Sequence, residues 1–151
     1  MRKLILVALL AAAAVVAARS ISRWRARVAY EEFAEAWTHG DAKRAGELAE
    51  AGAAERALEK RSLRGLPNGP IMEAFRGTRY AIESESRNAA GDMEIEATQT
   101  ILFDPPGITT ALGGAMYTHV HHSATLRHSS GGWKVIAFEP KVIDIGEVRR
   151  R

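Results

Sequence analysis

Two histidines on one face of a predicted strand are the strongest candidates for chemistry in this sequence. They lie in the run Tyr117-Thr118-His119-Val120-His121-His122. Successive side chains of a strand point to opposite faces, so His119 and His121 share a face, about 7 Å apart. The pair could contribute to a metal site, or one imidazole could act as a general base near neutral pH. Because no carboxylate lies beside them at a ligand-like spacing, we predict no metal site and no cofactor. The remaining alternative is a polar strip that faces solvent or a second subunit.

Glu139 and Tyr80 are the other candidates for acid–base chemistry. Simple alternation places Glu139 on the strand face of Trp133, Val135 and Ala137, where it could be an acid inside a pocket. The alternative is an exposed carboxylate at a strand end. Tyr80 could donate a hydrogen bond to a ligand, or it could be an ordinary half-buried strand residue.

The first 27 residues have the pattern of a signal anchor or a signal peptide. An unbroken apolar run, residues 4–18, is flanked by basic side chains. These are Arg2, Lys3, Arg19, Arg23, Arg25 and Arg27. As a helix the run is about 22 Å long against a hydrocarbon core of about 30 Å, a difference that snorkelling of the basic side chains would reduce. We expect an anchor with the domain on the outer, periplasmic or extracellular side. The alternatives are secretion after cleavage near Ala14 or Ala18 and a buried helix of a soluble protein.

The charge distribution favours a membrane over nucleic acid as a partner. The chain has 21 lysines and arginines and 18 aspartates and glutamates, with a formal net charge of +3. Much of the excess lies beside the apolar run and in residues 149–151, where attraction to anionic lipid headgroups is the simplest use. We therefore expect membrane contact through residues 4–18 and no nucleic-acid partner. The absence of cysteine excludes disulfides and thiol catalysis.

A helical period runs from Val28 to about Leu58. Tyr30, Phe33, Ala34 and Trp37 recur at helical spacing and predict a core-facing stripe. Gly40 fits the position after a helix end, and Asp41 fits the N-cap of a second helix. A third, short helix is predicted over residues 53–60, followed by a loop over residues 62–70.

The period changes to that of strands after Pro70. Strands are predicted over residues 79–88, 93–103, 115–128 and 133–143. Turn residues separate the first pair at 88–92 and the second pair at 129–132, and prolines end the second strand. Helices followed by adjacent antiparallel strands predict an α+β domain.

Two segments carry a resemblance to a known superfamily. They are the helical segment Phe33-Ala34-Glu35-Ala36-Trp37-Thr38-His39-Gly40-Asp41 and the strand segment Gly132-Trp133-Lys134-Val135-Ile136-Ala137-Phe138-Glu139-Pro140. Together they resemble the nuclear-transport-factor-2-like superfamily, which includes the ketosteroid-isomerase-like domains. The resemblance covers about residues 28–145 and consists mostly of apolar and turn positions.

The resemblance implies a curved antiparallel sheet of about four strands wrapped against helices into a cone. It also implies frequent dimerisation through the sheet, and a pocket for a small apolar ligand. Trp37, Tyr80, Tyr117 and Trp133 are the candidate pocket residues. Enzymes of the superfamily use acidic, Tyr or His residues in the cone, but no aspartate of this chain aligns with a family catalytic aspartate.

We therefore divide the chain into a basic-flanked leader (1–27), one α+β domain (28–146) and a basic tail (147–151). The expected function is that of a membrane-anchored accessory module of the bacterial envelope that binds a protein partner or a small apolar ligand without catalysis. The alternative is a small lyase or isomerase that uses His119 or His121 with Glu139 and Tyr80.

Overall fold

In the part of the chain that the structure describes, three helices precede four strands, so the predicted α+β class is confirmed. The computed structural model of the protein describes residues 2–63, 75–103 and 115–148. The helices are α1 (Arg2–His39), α2 (Ala42–Leu48) and α3 (Ala53–Leu63). The strands are β1 (Phe75–Arg87), β2 (Met93–Phe103), β3 (Ala115–Ser129) and β4 (Gly132–Val148). Most of the predicted 62–70 loop, the proline-containing segment after β2 and the tail residues 149–151 lie outside the described residues.

The strands form one open antiparallel sheet in the order β1-β2-β3-β4. Each strand pairs with its neighbour along the chain, as expected for hairpins. The turn between β1 and β2 is closed by Asn88, whose side-chain oxygen accepts hydrogen bonds from the backbone N–H groups of Ala90 and Asp92 at 3.0 and 3.1 Å. Gly132 begins β4 with a φ of 101°, a conformation that favours glycine.

Helix α1 joins the predicted leader to the domain without a break. Among the α1 side chains whose burial is described, Ala26 is the first that is fully buried, and from there Tyr30, Phe33, Ala34 and Trp37 continue the buried stripe that the spacing predicted. The helix ends at His39 and is followed by Gly40, which has a φ of 66°. The next residue, Asp41, caps α2 by accepting a hydrogen bond from the backbone N–H of Arg44 at 2.9 Å, so both predicted end signals are confirmed.

The core fills the space between the helices and one face of the sheet, which we call the inner face. The sheet contributes buried side chains that recur every second residue, notably Ile95 and Ala97 on β2 and Val120, Ala124 and Leu126 on β3. Phe138 of β4 packs against Phe33 and Trp37 of α1, with ring centroids 5.2 and 5.3 Å apart. We call the opposite side of the sheet the outer face.

A bulge in β4 takes Glu139 off the strand face of Trp133 and Val135, so the exposed carboxylate is the alternative that the structure shows. Leu126 pairs with Val135, but the preceding Thr125 pairs with Ala137, so Ile136 is an extra residue in β4. An extra residue reverses the alternation beyond it. Trp133 and Val135 therefore point inward as expected, but Phe138 is the next buried position and Glu139 is exposed.

Candidate functional site

His119 and His121 both lie on the outer face, each beside a carboxylate from a neighbouring strand. His119 Nδ1 is 2.7 Å from Asp144 Oδ1 on β4. His121 Nε2 is 2.9 Å from Glu96 Oε2 on β2, and its Nδ1 is 3.6 Å from Glu83 Oε2 on β1. The carboxylates that sequence spacing did not reveal are thus supplied by pairing between strands. Within the described ranges, no group of three or more histidine, aspartate or glutamate side chains is arranged to hold a metal ion.

Tyr117 lies on the outer face next to His119, and its ring covers a glycine of the neighbouring strand β4. Its ring centroid is 4.9 Å from that of His119, and its cross-strand partner on β4 is Gly146. A Cβ atom built on Gly146 would lie 2.5 Å from the Tyr117 ring. The ring therefore occupies the space that a larger residue at 146 would need.

Trp37 is a core residue. Its side chain is 1% exposed, and its indole N–H donates a hydrogen bond to the carbonyl of Ala57 at 2.8 Å, which ties α1 to α3. The ring also packs at near right angles against His122, with centroids 5.4 Å apart. These contacts leave Trp37 well packed between helices and sheet.

Tyr80 belongs to a network of side-chain hydrogen bonds that runs from the core to the surface. Its hydroxyl donates to Glu35 at 3.1 Å and lies 3.2 Å from Gln99 Nε2, which also donates to Thr38 at 2.9 Å. Thr38 and Gln99 are buried, whereas the Glu35 carboxylate reaches the surface and pairs with His39 at 2.9 Å. This hydrogen-bond network provides partners for polar groups that would otherwise be costly to bury.

The hydrogen-bond network of Tyr80 ends at an open surface groove with a volume of about 330 Å³. Its lining residues are Glu32, Glu35, Ala36, His39, Asp41 and Arg44. The charged groups in it are largely committed to one another, since Arg44 pairs with Glu32 at 2.5 Å and with Glu47 at 3.1 Å. The groove is shallow and contains none of the predicted catalytic residues.

Trp133 and Glu139 complete the predicted set, and they lie at different places on β4. Trp133 is at the start of the strand beside His128, with ring centroids 5.2 Å apart, and Arg87 lies over its ring. Glu139 forms an ion pair with Lys60 of α3. The structure therefore distributes the candidate residues over the outer face, the core, the start of β4 and the α3 side.

His122 is the residue that sequence reasoning passed over. It follows Val120 on the inner face, is fully buried, and lies with its Nδ1 2.8 Å from the Tyr30 hydroxyl. Burial, with a smaller contribution from His121, lowers the pKa of His122 from 6.5 to about 3. Burial also raises the pKa of the Tyr30 phenol. Strand alternation alone would have placed His122 beside Val120 and Ala124.

The N-terminal part of α1 extends past the sheet with its apolar side chains in solvent. Val7, Leu9, Leu10, Val15, Val16, Ile21 and Trp24 are 52–64% exposed. Among the residues that the structure describes, no helix contains a stretch long and apolar enough to cross a membrane.

No protein-family model, curated protein or solved structure matches this chain. Its function has to be inferred from the surfaces described above, which are the outer sheet face, the shallow groove and the exposed apolar part of α1.

Proposed function

We propose that this chain is a non-catalytic binding module held at a membrane of the bacterial envelope by residues 4–18 of α1. The observation that carries the proposal is the exposure of large apolar side chains along the start of this helix. Contiguous apolar surface of this kind marks contact sites for membranes or proteins rather than free protein surface. Burying each such side chain in lipid is worth about 1.5–3 kcal/mol.

The distribution of these side chains around α1 favours lipid over a protein groove. At 100° per residue, Leu9 and Val16 point to one side of the helix, Val7 points to the opposite side, and Leu10 lies between the two sides. A groove in a partner protein would cover one side of the helix, whereas lipid surrounds it. Arginines follow the apolar run at the position of lipid headgroups.

The domain behind this helix is proposed to be of the nuclear-transport-factor-2-like type. Three features support the proposal: helices followed by an antiparallel sheet, the glycine-aspartate step after α1, and the hairpin that leads into the Gly132-Trp133 strand. The domain is proposed to lie on the outer side of the membrane.

The outer face is the proposed surface for a protein partner, and the occupant we propose is a second copy of this chain. Its β1–β2 half carries Glu83, Glu96 and Arg79, and its β3–β4 half carries His119, His121, Lys141 and Asp144, so both halves present groups of both signs. A two-fold arrangement of two such faces would bring unlike groups together.

The lyase or isomerase alternative has less support. Acid–base catalysis requires its groups within hydrogen-bond reach of one substrate. His119 and His121 lie on the outer face, Tyr80 hydrogen-bonds to Glu35, and Glu139 pairs with Lys60. These groups do not share one pocket.

Membrane attachment is tested by placing charge on the exposed apolar side chains of the full-length protein. We expect Leu9→Glu together with Val16→Glu to move the protein from the membrane fraction to the soluble fraction, because both side chains are outside the core. The control is Ala89→Glu with Ala90→Glu, which adds the same charge at exposed turn positions. Equal membrane recovery of the two variants would overturn the proposal.

The intact mass of the membrane-bound protein separates an anchor from a cleaved leader. Retention of residues 1–18 is expected for the anchor, whereas their loss together with a soluble product would favour secretion. Protease digestion of intact cells and of cells with an opened envelope tests the proposed outer location, since only an outer domain is cleaved before the inner membrane is broken.

A further inference from the structure

Three arginines meet in one cavity where α1 leaves the domain. The cavity has a volume of about 190 Å³ and is lined by Arg19, Arg23 and Arg87. Arg19 and Arg23 are one helical turn apart on α1, and Arg87 is the last residue of β1. Arg19 directly follows the apolar run, so the cavity lies at the boundary between that run and the domain.

Arg87 is held in place by contacts with three parts of the molecule. One terminal nitrogen, Nη2, donates to Ser22 Oγ of α1 at 2.8 Å, and Nη1 donates to the carbonyl of Gly91 at 3.0 Å. The guanidinium also lies 5.3 Å from the ring centroid of Trp133 on β4. A guanidinium fixed in this way loses little conformational freedom when it binds an anion.

The positive charge of this cavity is not neutralised within the described ranges. None of its three arginines forms an ion pair there, although like charges one turn apart on a helix repel each other. Two carboxylates from the same end of the sheet are already used, because Glu85 pairs with Arg27 at 2.7 Å and Asp92 pairs with Arg127 at 2.9 Å. An external anion would relieve this repulsion.

We propose that Arg19, Arg23 and Arg87 bind the phosphate of an anionic phospholipid headgroup. This inference rests on the proposed attachment of α1 to a membrane. Phosphate suits the site because planar guanidinium groups bind its oxygens in pairs. Lipid is favoured as its source because the cavity adjoins the exposed apolar run, and because the exposed Trp24 lies at the same level of α1, as tryptophan does at membrane interfaces.

The test compares the full-length protein and single-charge variants for flotation with two kinds of vesicle. One vesicle is pure phosphatidylcholine, and the other also contains the anionic lipid phosphatidylglycerol, which gives its surface a negative potential. Arg87→Gln and Arg19→Gln are the site variants; Arg19 makes no described contact that the fold needs. Arg25→Gln is the matched control, because Arg25 is an exposed arginine about 200° around the same helix from Arg23. Arg87→Lys retains the charge but removes the planar fork.

We expect Arg87→Gln, Arg19→Gln and Arg87→Lys each to weaken binding to the anionic vesicles at least fivefold relative to Arg25→Gln. Binding to pure phosphatidylcholine should remain at the wild-type level in all variants. Equal losses in Arg25→Gln and the site variants, with Arg87→Lys unchanged, would show general charge attraction and overturn the inference. Membrane attachment itself would stand in that case, and it would fail only if the wild type floated with neither vesicle.

A free phosphate ion is separated from a lipid by a second measurement. Inorganic phosphate is titrated into the wild type and Arg87→Gln in neutral detergent, with amide NMR signals of residues 19–23 and 87 as the readout. Saturable, Arg87-dependent binding of inorganic phosphate, combined with unchanged vesicle binding of the site variants, would identify a soluble anion as the ligand and overturn the lipid assignment.

Discussion

The Tyr30 hydroxyl of α1 lies 2.8 Å from Nδ1 of His122 on β3, inside the core. This hydrogen bond joins the helix layer to the inner face of the sheet at a point where both side chains are fully buried. Within the described residues, the other ring nitrogen of His122, Nε2, has no hydrogen-bond partner. The aromatic rings of Trp37 and Phe138 pack against the imidazole, with centroids 5.4 and 4.7 Å away. The site favours a neutral imidazole.

His122 should make the folded state sensitive to acid. Its pKa of about 3 in the folded protein is below the ordinary value of 6.5. Between these values the unfolded chain binds a proton that the folded chain does not. Stability from this group is therefore complete above pH 6.5 and decreases as the pH falls toward 3, by at most about 1.4 kcal/mol per pH unit.

The measurement is the free energy of unfolding by urea from pH 4 to 7.5. His122→Gln should flatten the pH dependence over this range, whatever its effect on absolute stability. His128→Gln, at an exposed position of the same strand, should leave the dependence unchanged. A wild-type slope in His122→Gln would contradict the neutral, buried imidazole.

Tyr30→Phe should destabilise the domain through His122. The substitution keeps the ring but leaves Nδ1 without its partner, and an unsatisfied buried polar group costs about 1–3 kcal/mol. Tyr117→Phe is the control, because the Tyr117 hydroxyl makes no hydrogen bond with the described residues; its cost should be below about 0.5 kcal/mol. Denaturant unfolding at pH 7 measures the stability loss of each variant. Equal losses in Tyr30→Phe and Tyr117→Phe would contradict the hydrogen bond between Tyr30 and His122.

The Asp92 carboxylate should titrate below its ordinary value. Arg127 Nε and Nη2 donate to its two oxygens at 3.1 and 2.9 Å, and this hydrogen bonding lowers the pKa of Asp92 against the opposing effect of desolvation. The associated stability is present above pH 3.8 and is lost as the pH falls through the lowered value. Carboxyl-carbon NMR titration should show this pKa rising toward 3.8 in Arg127→Gln and remaining low in Arg56→Gln. An Asp92 that titrates at its ordinary value in the wild type would contradict the pairing.

Local patterns predicted the elements and the turns because each depends on a few neighbouring residues. The stripe from Tyr30 to Trp37, the Gly40-Asp41 step and the alternation of β2 all depend on such local signals, and all are observed. The extra residue Ile136 was not predictable, because a bulge is defined by pairing with β3 and not by the sequence of β4 alone. The partners of His119 and His121 were missed for the same reason: Asp144, Glu83 and Glu96 come from other strands.

Removal of both outer histidines should affect association more than folding. His119 and His121 are partly exposed, and pairs of this kind contribute about 0–1 kcal/mol to stability. His119→Ala with His121→Ala should therefore leave the free energy of unfolding within about 1 kcal/mol of the wild type. If the outer face holds a second copy, the same variant should raise the dimer dissociation constant at least tenfold in sedimentation velocity. His128→Ala, which lies on the inner-face register of β3, should leave it unchanged. A wild-type dissociation constant in the double variant would exclude this face as the dimer contact.

Gly146→Ala tests where Tyr117 lies. The Cβ of alanine would come within 2.5 Å of the Tyr117 ring, so the ring must move away from β4. Overpacking of this kind costs about 1–3 kcal/mol. Gly131→Ala is the control, because a Cβ there would lie 3.9 Å from the Ser129 hydroxyl, which is an ordinary van der Waals contact.

The reason for the cost can be checked in the double variant. In a Tyr117→Ala background the obstructing ring is absent, so Gly146→Ala should then cost less than about 0.5 kcal/mol, and the coupling between the two substitutions should account for most of the single-variant loss. An unchanged cost in that background would mean that Tyr117 is not packed over Gly146. In that case its ring would be free to line a ligand pocket, as the resemblance implied, and the outer face would suit a small ligand as well as a protein partner.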